Sequence, residues 1–116
     1  MYTLFAAAVV SLVALAAAQP PAASAENGKK LYMKHTCYFC HGAVGQGGLN
    51  GARVAVVARN LQGFTRYVRQ PSGQMPAYTE KILSDQELAD IFAYLRALPA
   101  AKPAREIPLL DQLRPR

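Results

Sequence analysis

The sequence predicts an all-α domain: three to four short helices joined by long loops and wrapped round one large apolar body. Three observations predict it. Helical periodicity with end signals recurs in three short segments. No apolar run finds a second run with which to pair as a sheet. The connecting loops are rich in glycine and polar residues, so the chain carries many backbone polar groups for little apolar surface of its own.

The 116 residues fit one domain, with a segment at each end outside it. Leu4 to Ala18 is apolar except for Ser11. The run is shorter than the roughly 20 residues of a membrane span and suits the core of a secretory signal. Ala23-Ser24-Ala25 supplies a small-x-small cleavage site, which predicts a signal peptide over residues 1–25 and Glu26 as the new N-terminus. Met1-Tyr2-Thr3 lacks the usual basic start, Ala16-Ala17-Ala18 is a second cleavage site, and an uncleaved anchor is the competing reading. Residues 26–99 form the expected domain and 100–116 a Pro-rich, charged tail.

All 13 Lys and Arg and all 7 acidic residues follow position 25, so the net charge of +6 belongs to the mature domain. A basic surface favours an acidic partner. Nucleic acid is not expected, because no Lys/Arg run and no basic-aromatic cluster occurs. Membrane contact is expected only if residues 4–18 stay uncleaved.

Glu26 to His35 suits a first helix, with Lys29, Lys30 and Lys34 outward and Leu31 and His35 on one face. Gly42 to Gly51 is a glycine-rich loop. Val54 to Ala58 reads as extended chain or one turn packed on the core. Leu61 to Gln70 reads as a helix through Leu61, Phe64, Tyr67 and Val68, stopped by Pro71. The clearest helix starts at Ser84, whose spacing to Glu87 makes a capping box. Its apolar stripe is Leu88, Ile91, Phe92, Leu95 and Leu98, with Asp85, Asp90 and Arg96 facing water and Pro99 closing it.

Cys37-Tyr38-Phe39-Cys40-His41 names the missing apolar body. The pattern C-x-x-C-H marks covalent haem attachment. Two thiols at this spacing reach the two vinyl groups on one side of a porphyrin, and the histidine that follows supplies the proximal ligand. One covalent haem c is therefore expected, on Cys37, Cys40 and His41. Two alternatives are weaker. A thioredoxin-like C-x-x-C needs a βαβ setting, and a helical segment precedes this one. A zinc site would have to use Cys37, Cys40, His41 and His35, four ligands crowded within seven residues.

A second axial ligand must be a His or Met. His35 is too near His41 to cross the ring, Met1 lies in the signal, and Met33 on the first helix reads as core filler. Met75 lies in the polar loop Gly73-Gln74-Met75-Pro76-Ala77-Tyr78, where Pro76 steadies the chain. His41 and Met75 are thus the expected iron ligands. With both axial positions filled, no substrate site remains open and no catalytic residue is expected.

Gly28-Lys29-Lys30-Leu31-Tyr32 leading into the Cys37–Gly42 motif, then Gly73-Gln74-Met75-Pro76, then Asp90-Ile91-Phe92-Ala93-Tyr94-Leu95 resemble, in this order, the class I monohaem c-type cytochromes of the small bacterial kind. The resemblance covers Glu26 to Leu98 and implies the cytochrome c fold. It implies that the first and last helices cross at Gly28, with Tyr32, Ile91 and Tyr94 packed round the crossing. Many members carry a Gly-Pro pair after the glycine loop, near a carbonyl that holds the other ring nitrogen of the proximal histidine. Here that region reads Asn50-Gly51-Ala52-Arg53, so the acceptor is expected among the carbonyls of Leu49 to Val54.

The expected function is electron transfer, as a periplasmic carrier or as the cytochrome subunit of a larger dehydrogenase or oxidase. Lys29, Lys30, Lys34, Arg53, Arg59, Arg66, Arg69 and Lys81 are candidates for a docking face toward an acidic redox partner. Ile107, Leu109, Leu110 and Leu113 give the tail an apolar side suited to a larger complex. The alternative function is a haem c enzyme or ligand sensor with a displaceable Met75. Export with covalent haem places the expected compartment in the bacterial periplasm, or on the periplasmic face of the inner membrane.

Overall fold

Ser24, Asn60 and Ser84 each turn a side-chain oxygen onto a backbone N–H in the first turn of a helix, and these caps fix where the three long helices begin. The computed structural model of the chain describes residues 21–113. In chain order it contains α1 (Ala25–Lys34), α2 (Cys37–His41), α3 (Leu61–Arg69), α4 (Asp85–Ala97) and α5 (Pro108–Gln112), with a 3₁₀ turn over Ala104–Glu106 before α5. Among the described residues there is no strand, and one isolated bridge joins Gly48 and Gly51. The all-α expectation holds. The capping box at Ser84 forms with both of its bonds.

Helices α1 and α4 cross at a point where one of them lacks a side chain. A Cβ on Gly28 would run into the backbone carbonyl of Asp90, so only glycine allows this approach. The Tyr32 and Tyr94 rings pack beside the crossing with centroids 5.5 Å apart. Round this pair gather Leu31, Phe64, Val68, Leu83, Leu88, Ile91 and Leu95, all buried. Helix α3 enters through Phe64, whose ring meets that of Phe92 at 5.5 Å.

Two expectations are corrected. Asp90 does not face water: it is 5% exposed. It lies on the face of α4 turned to the start of α1, where Ser24 N–H and Asn27 Nδ2 donate to its two oxygens over 2.8 and 2.7 Å. Met33 is not core filler, because α1 buries the face bearing Gly28, Leu31 and Tyr32 and leaves Met33 40% exposed. The tail forms the 3₁₀ turn and α5. Its backbone bonds are local, and Leu109, Leu110 and Leu113 are exposed.

Val54 to Ala58 is a turn packed on the core, with Ala55 buried. Val56 takes φ 55°, a strained value for a β-branched residue, and donates its N–H to the Leu95 carbonyl over 2.9 Å. Of the expected signal peptide, residues 1–20 lie outside the described residues. Residues 21–25 are described, and there Ser24 caps α1 and Ala25 opens it. No helix among the described residues is long and apolar enough to cross a membrane.

Candidate functional site

Thr36, at φ 58°, reverses the chain after α1 so that α2 starts at once with Cys37. The five residues of α2 then make a single helical turn that brings Cys37, Cys40 and His41 to one cavity of about 780 Å³. This lies within the range of about 300–1,000 Å³ common for cofactor sites. Met75 lines the same cavity from the loop between α3 and α4. The walls are mostly apolar, supplied by Val54, Val57, Phe64, Val68, Leu83, Leu88, Ile91 and Leu95. The four residues singled out in the sequence thus converge, although 34 positions separate His41 from Met75. His35 does not line the cavity. Its Nε2 is buried without a hydrogen-bond partner, and its ring stands edge-on to Tyr78.

The turn is clamped by carbonyls on both sides. Tyr32 donates its hydroxyl to the Gly42 carbonyl at 2.8 Å, Tyr94 to that of Ala43 at 3.1 Å, and Tyr78 to that of His35 at 3.1 Å. Burial raises the phenol pKa of all three tyrosines, which keeps them protonated as donors. The glycine-rich loop passes close beneath. A Cβ on Gly51 would meet the carbonyl of Cys40, and that approach carries Ala52 to the imidazole. His41 Nδ1 lies 2.7 Å from the Ala52 carbonyl. A carbonyl only accepts, so Nδ1 carries the proton and Nε2 keeps its lone pair for a metal. Ala52 is therefore the acceptor that the sequence had narrowed to Leu49–Val54.

Burial pushes the Cys37 thiol up to about 11, so before any attachment it stays protonated at neutral pH. Disulfide exchange needs a thiolate, and this raised value opposes the dithiol-redox reading. The donor set fits haem c instead: two thiols on one turn, an oriented imidazole, a thioether and an apolar cavity.

The Met75 loop hangs from α3. Tyr78 N–H donates to the Val68 carbonyl at 3.1 Å. Arg69 donates through Nη1 to the carbonyls of Tyr78 and Leu83, and through Nη2 to Asp85. Arg69 thus leaves the candidate docking face, because its guanidinium is spent inside the fold. Lys30 is paired with Glu26 at 2.9 Å. Arg53 and Arg59 line the cavity and remain exposed, with Arg59 lying over the Tyr67 ring. Sequence periodicity carried no sign of the tyrosine clamps or of the Arg69 bonds, because nearly every partner is a backbone carbonyl placed by tertiary structure, the Asp85 carboxylate on Arg69 being the exception.

Residues 23–95 match the family model described as cytochrome C oxidase, cbb3-type, subunit III. No curated protein and no solved structure matches the chain.

Proposed function

This chain belongs to the family of cytochrome c oxidase, cbb3-type, subunit III, and from that premise we propose that it carries electrons through one covalent haem c held by Cys37, Cys40, His41 and Met75. The family itself establishes a c-type cytochrome domain and haem-based electron transfer in general. The observation that carries the finer reading is the convergence of these four side chains on one apolar cavity, with His41 Nδ1 tied to Ala52.

Each residue has a part. Cys37 and Cys40 would bind the macrocycle through thioethers. The Ala52 bond orients His41 and raises its basicity as a ligand. Met75 would fill the opposite axial position, leaving no place for a substrate. Bound there, haem c supplies a one-electron ferric/ferrous couple, and thioether ligation raises its potential. The apolar walls exclude water, which disfavours the extra charge of the ferric state in the same direction.

The partner is a redox protein with an acidic face, met by exposed cations that include Arg53 and Arg59 beside the cavity. Membership of an oxidase subunit family supports assembly with a larger oxidase, and the uncovered leucines of α5 supply a surface for it. The mature domain works in the periplasm, or on the periplasmic face of the inner membrane.

The test is the absorption spectrum of the ferric holoprotein in the far red, where sulfur-ligated ferric haem absorbs weakly. A weak band that disappears in Met75→Ala supports His41/Met75 ligation. High-spin iron in the native protein, binding carbon monoxide at once when reduced, would transfer the assignment to the open-site enzyme or sensor.

A further inference from the structure

The segment between α3 and α4 has to carry Met75 across the cavity with little regular structure of its own. Its attachments gather at one residue beyond the methionine. Tyr78 is bonded three times: its N–H to Val68, its carbonyl to Arg69, and its hydroxyl to the His35 carbonyl just before α2. Arg69 extends the grip to both sides of the segment's end, through the Leu83 carbonyl at 2.6 Å and the Asp85 carboxylate at 2.6 Å. Only 19% of its side chain is exposed while Asp85 is 70% exposed, so the two part-buried carbonyl bonds carry the grip and the ion pair, open to solvent screening, adds less. Among the described residues, the one side-chain bond made to the loop between Gln70 and Tyr78 is that of Tyr67 to Ser72, on the far side of Met75.

We propose that Arg69 and Tyr78 form a latch that fixes Met75 against the cavity, and so sets how often the sixth iron position stands open. The inference rests on Met75 being the axial ligand. Both residues act as positioning residues: neither is assigned to the iron, and each works through the loop backbone. A five-donor guanidinium suits the task, because one planar head holds two carbonyls and a carboxylate at once. The Tyr78 hydroxyl joins the Met75 loop to the start of α2, and so ties the two halves of the site together.

The test compares Arg69→Gln, Arg69→Lys, Tyr78→Phe and the control Met75→Ala as purified holoproteins. Two properties are read: the far-red band of the ferric form and the rate of carbon monoxide binding to the ferrous form. Arg69→Gln is expected to lose most of the band and to bind carbon monoxide about tenfold faster or more, the order implied by losing a charge-assisted hydrogen bond. Arg69→Lys recovers part of the band, and Tyr78→Phe is intermediate. A purely structural role would lower the melting temperature of the variants and leave both readouts unchanged below the transition, which overturns the latch. If Arg69→Gln does not fold, Tyr78→Phe decides alone, since it removes one hydroxyl and keeps the ring. If Met75→Ala itself changes neither readout, the ligation reading fails and the latch with it, which is distinct from the case where Met75→Ala responds and Arg69→Gln does not.

Discussion

Tyr32, on α1, donates its hydroxyl to the carbonyl of Gly42 over 2.8 Å, and so holds the residue that directly follows His41. The ring is almost wholly buried beside Tyr94, while the hydroxyl reaches out of the core to the end of α2. Packing and site geometry therefore meet in one side chain. Tyr32→Phe keeps the packing and removes the bond. It should cost about 1 kcal/mol, the usual net worth of such a bond, and lower the melting temperature of the domain by about 4–8 °C. Thermal unfolding of the holoprotein checks this, and an unchanged midpoint would show that the clamp adds nothing to stability.

Gly28→Ala tests the helix crossing, with an unusual sign. In an exposed helix interior this change stabilises by up to about 1 kcal/mol. Here the added methyl meets the Asp90 carbonyl, which is backbone and cannot swing away. Overpacking of this kind costs about 1–3 kcal/mol, and parting the helices would add lost core contact. A net destabilisation is expected in denaturant titration. A gain in stability would mean that α1 and α4 do not approach as closely as described.

How much of this was legible in the sequence depends on range. Ser84 and Glu87 declare a helix start because the capping box is complete within four residues. Cys37, Cys40 and His41 declare a site because their chemistry is concentrated on one turn. Met75 stood out because an isolated methionine in a polar loop lacks a packing reason. The burial of Asp90 is hidden from the sequence for the opposite cause. Helical periodicity assigns a charged residue to solvent, and nothing local reveals that Ser24 and Asn27, more than 60 positions away, would arrive to donate to it. Arg69 was equally opaque, since two of its three partners are carbonyls that sequence does not distinguish.

Acid stability should follow Asp90 and Glu87. Burial pushes the Asp90 carboxyl up, but Asn27, Ser24 and Gln86 donate to it and together hold it below the usual 3.8. The hydrogen bond from the Ser84 backbone N–H holds Glu87 below 4.5. A depressed folded-state value means that the unfolded chain binds more protons over this window, so stability rises with pH through it. The contribution is fully present above the unfolded values and is lost as pH falls through the folded ones. Asp90→Asn should therefore be less stable at neutral pH, because its amide would face donors, and should lose less on acidification from about pH 5 to pH 3. Chemical denaturation at these two pH values checks it, and parallel acid limbs in variant and native protein would remove Asp90 from the account.

Deleting residues 100–116 separates the tail from the haem domain. Among the described residues the tail's backbone bonds are internal to it, so its loss should leave the haem spectrum and the melting temperature of the domain unchanged. If Leu109, Leu110 and Leu113 dock on a larger oxidase, the shortened chain should co-purify with that complex poorly. Full retention in the complex would mean that the exposed leucines serve no assembly.

The N-terminal boundary is open to a direct comparison. Ser24 accepts from Asn27 N–H through its side chain, accepts from Gly28 N–H through its carbonyl, and donates its own N–H to Asp90. The family match also begins at residue 23, ahead of Glu26. A chain that starts at Glu26 loses all three bonds and places a new ammonium group at the positive end of α1, where the helix dipole disfavours it. Against a chain that starts at Gln19, after the second small-residue site, it should be less stable by about 1–2 kcal/mol, the cost of losing a helix cap. Thermal unfolding of the two purified holoproteins measures the difference. Equal stability would restore Ala25 as a boundary the domain tolerates, whereas the expected loss makes Ser24 part of the folded unit and favours processing after Ala18.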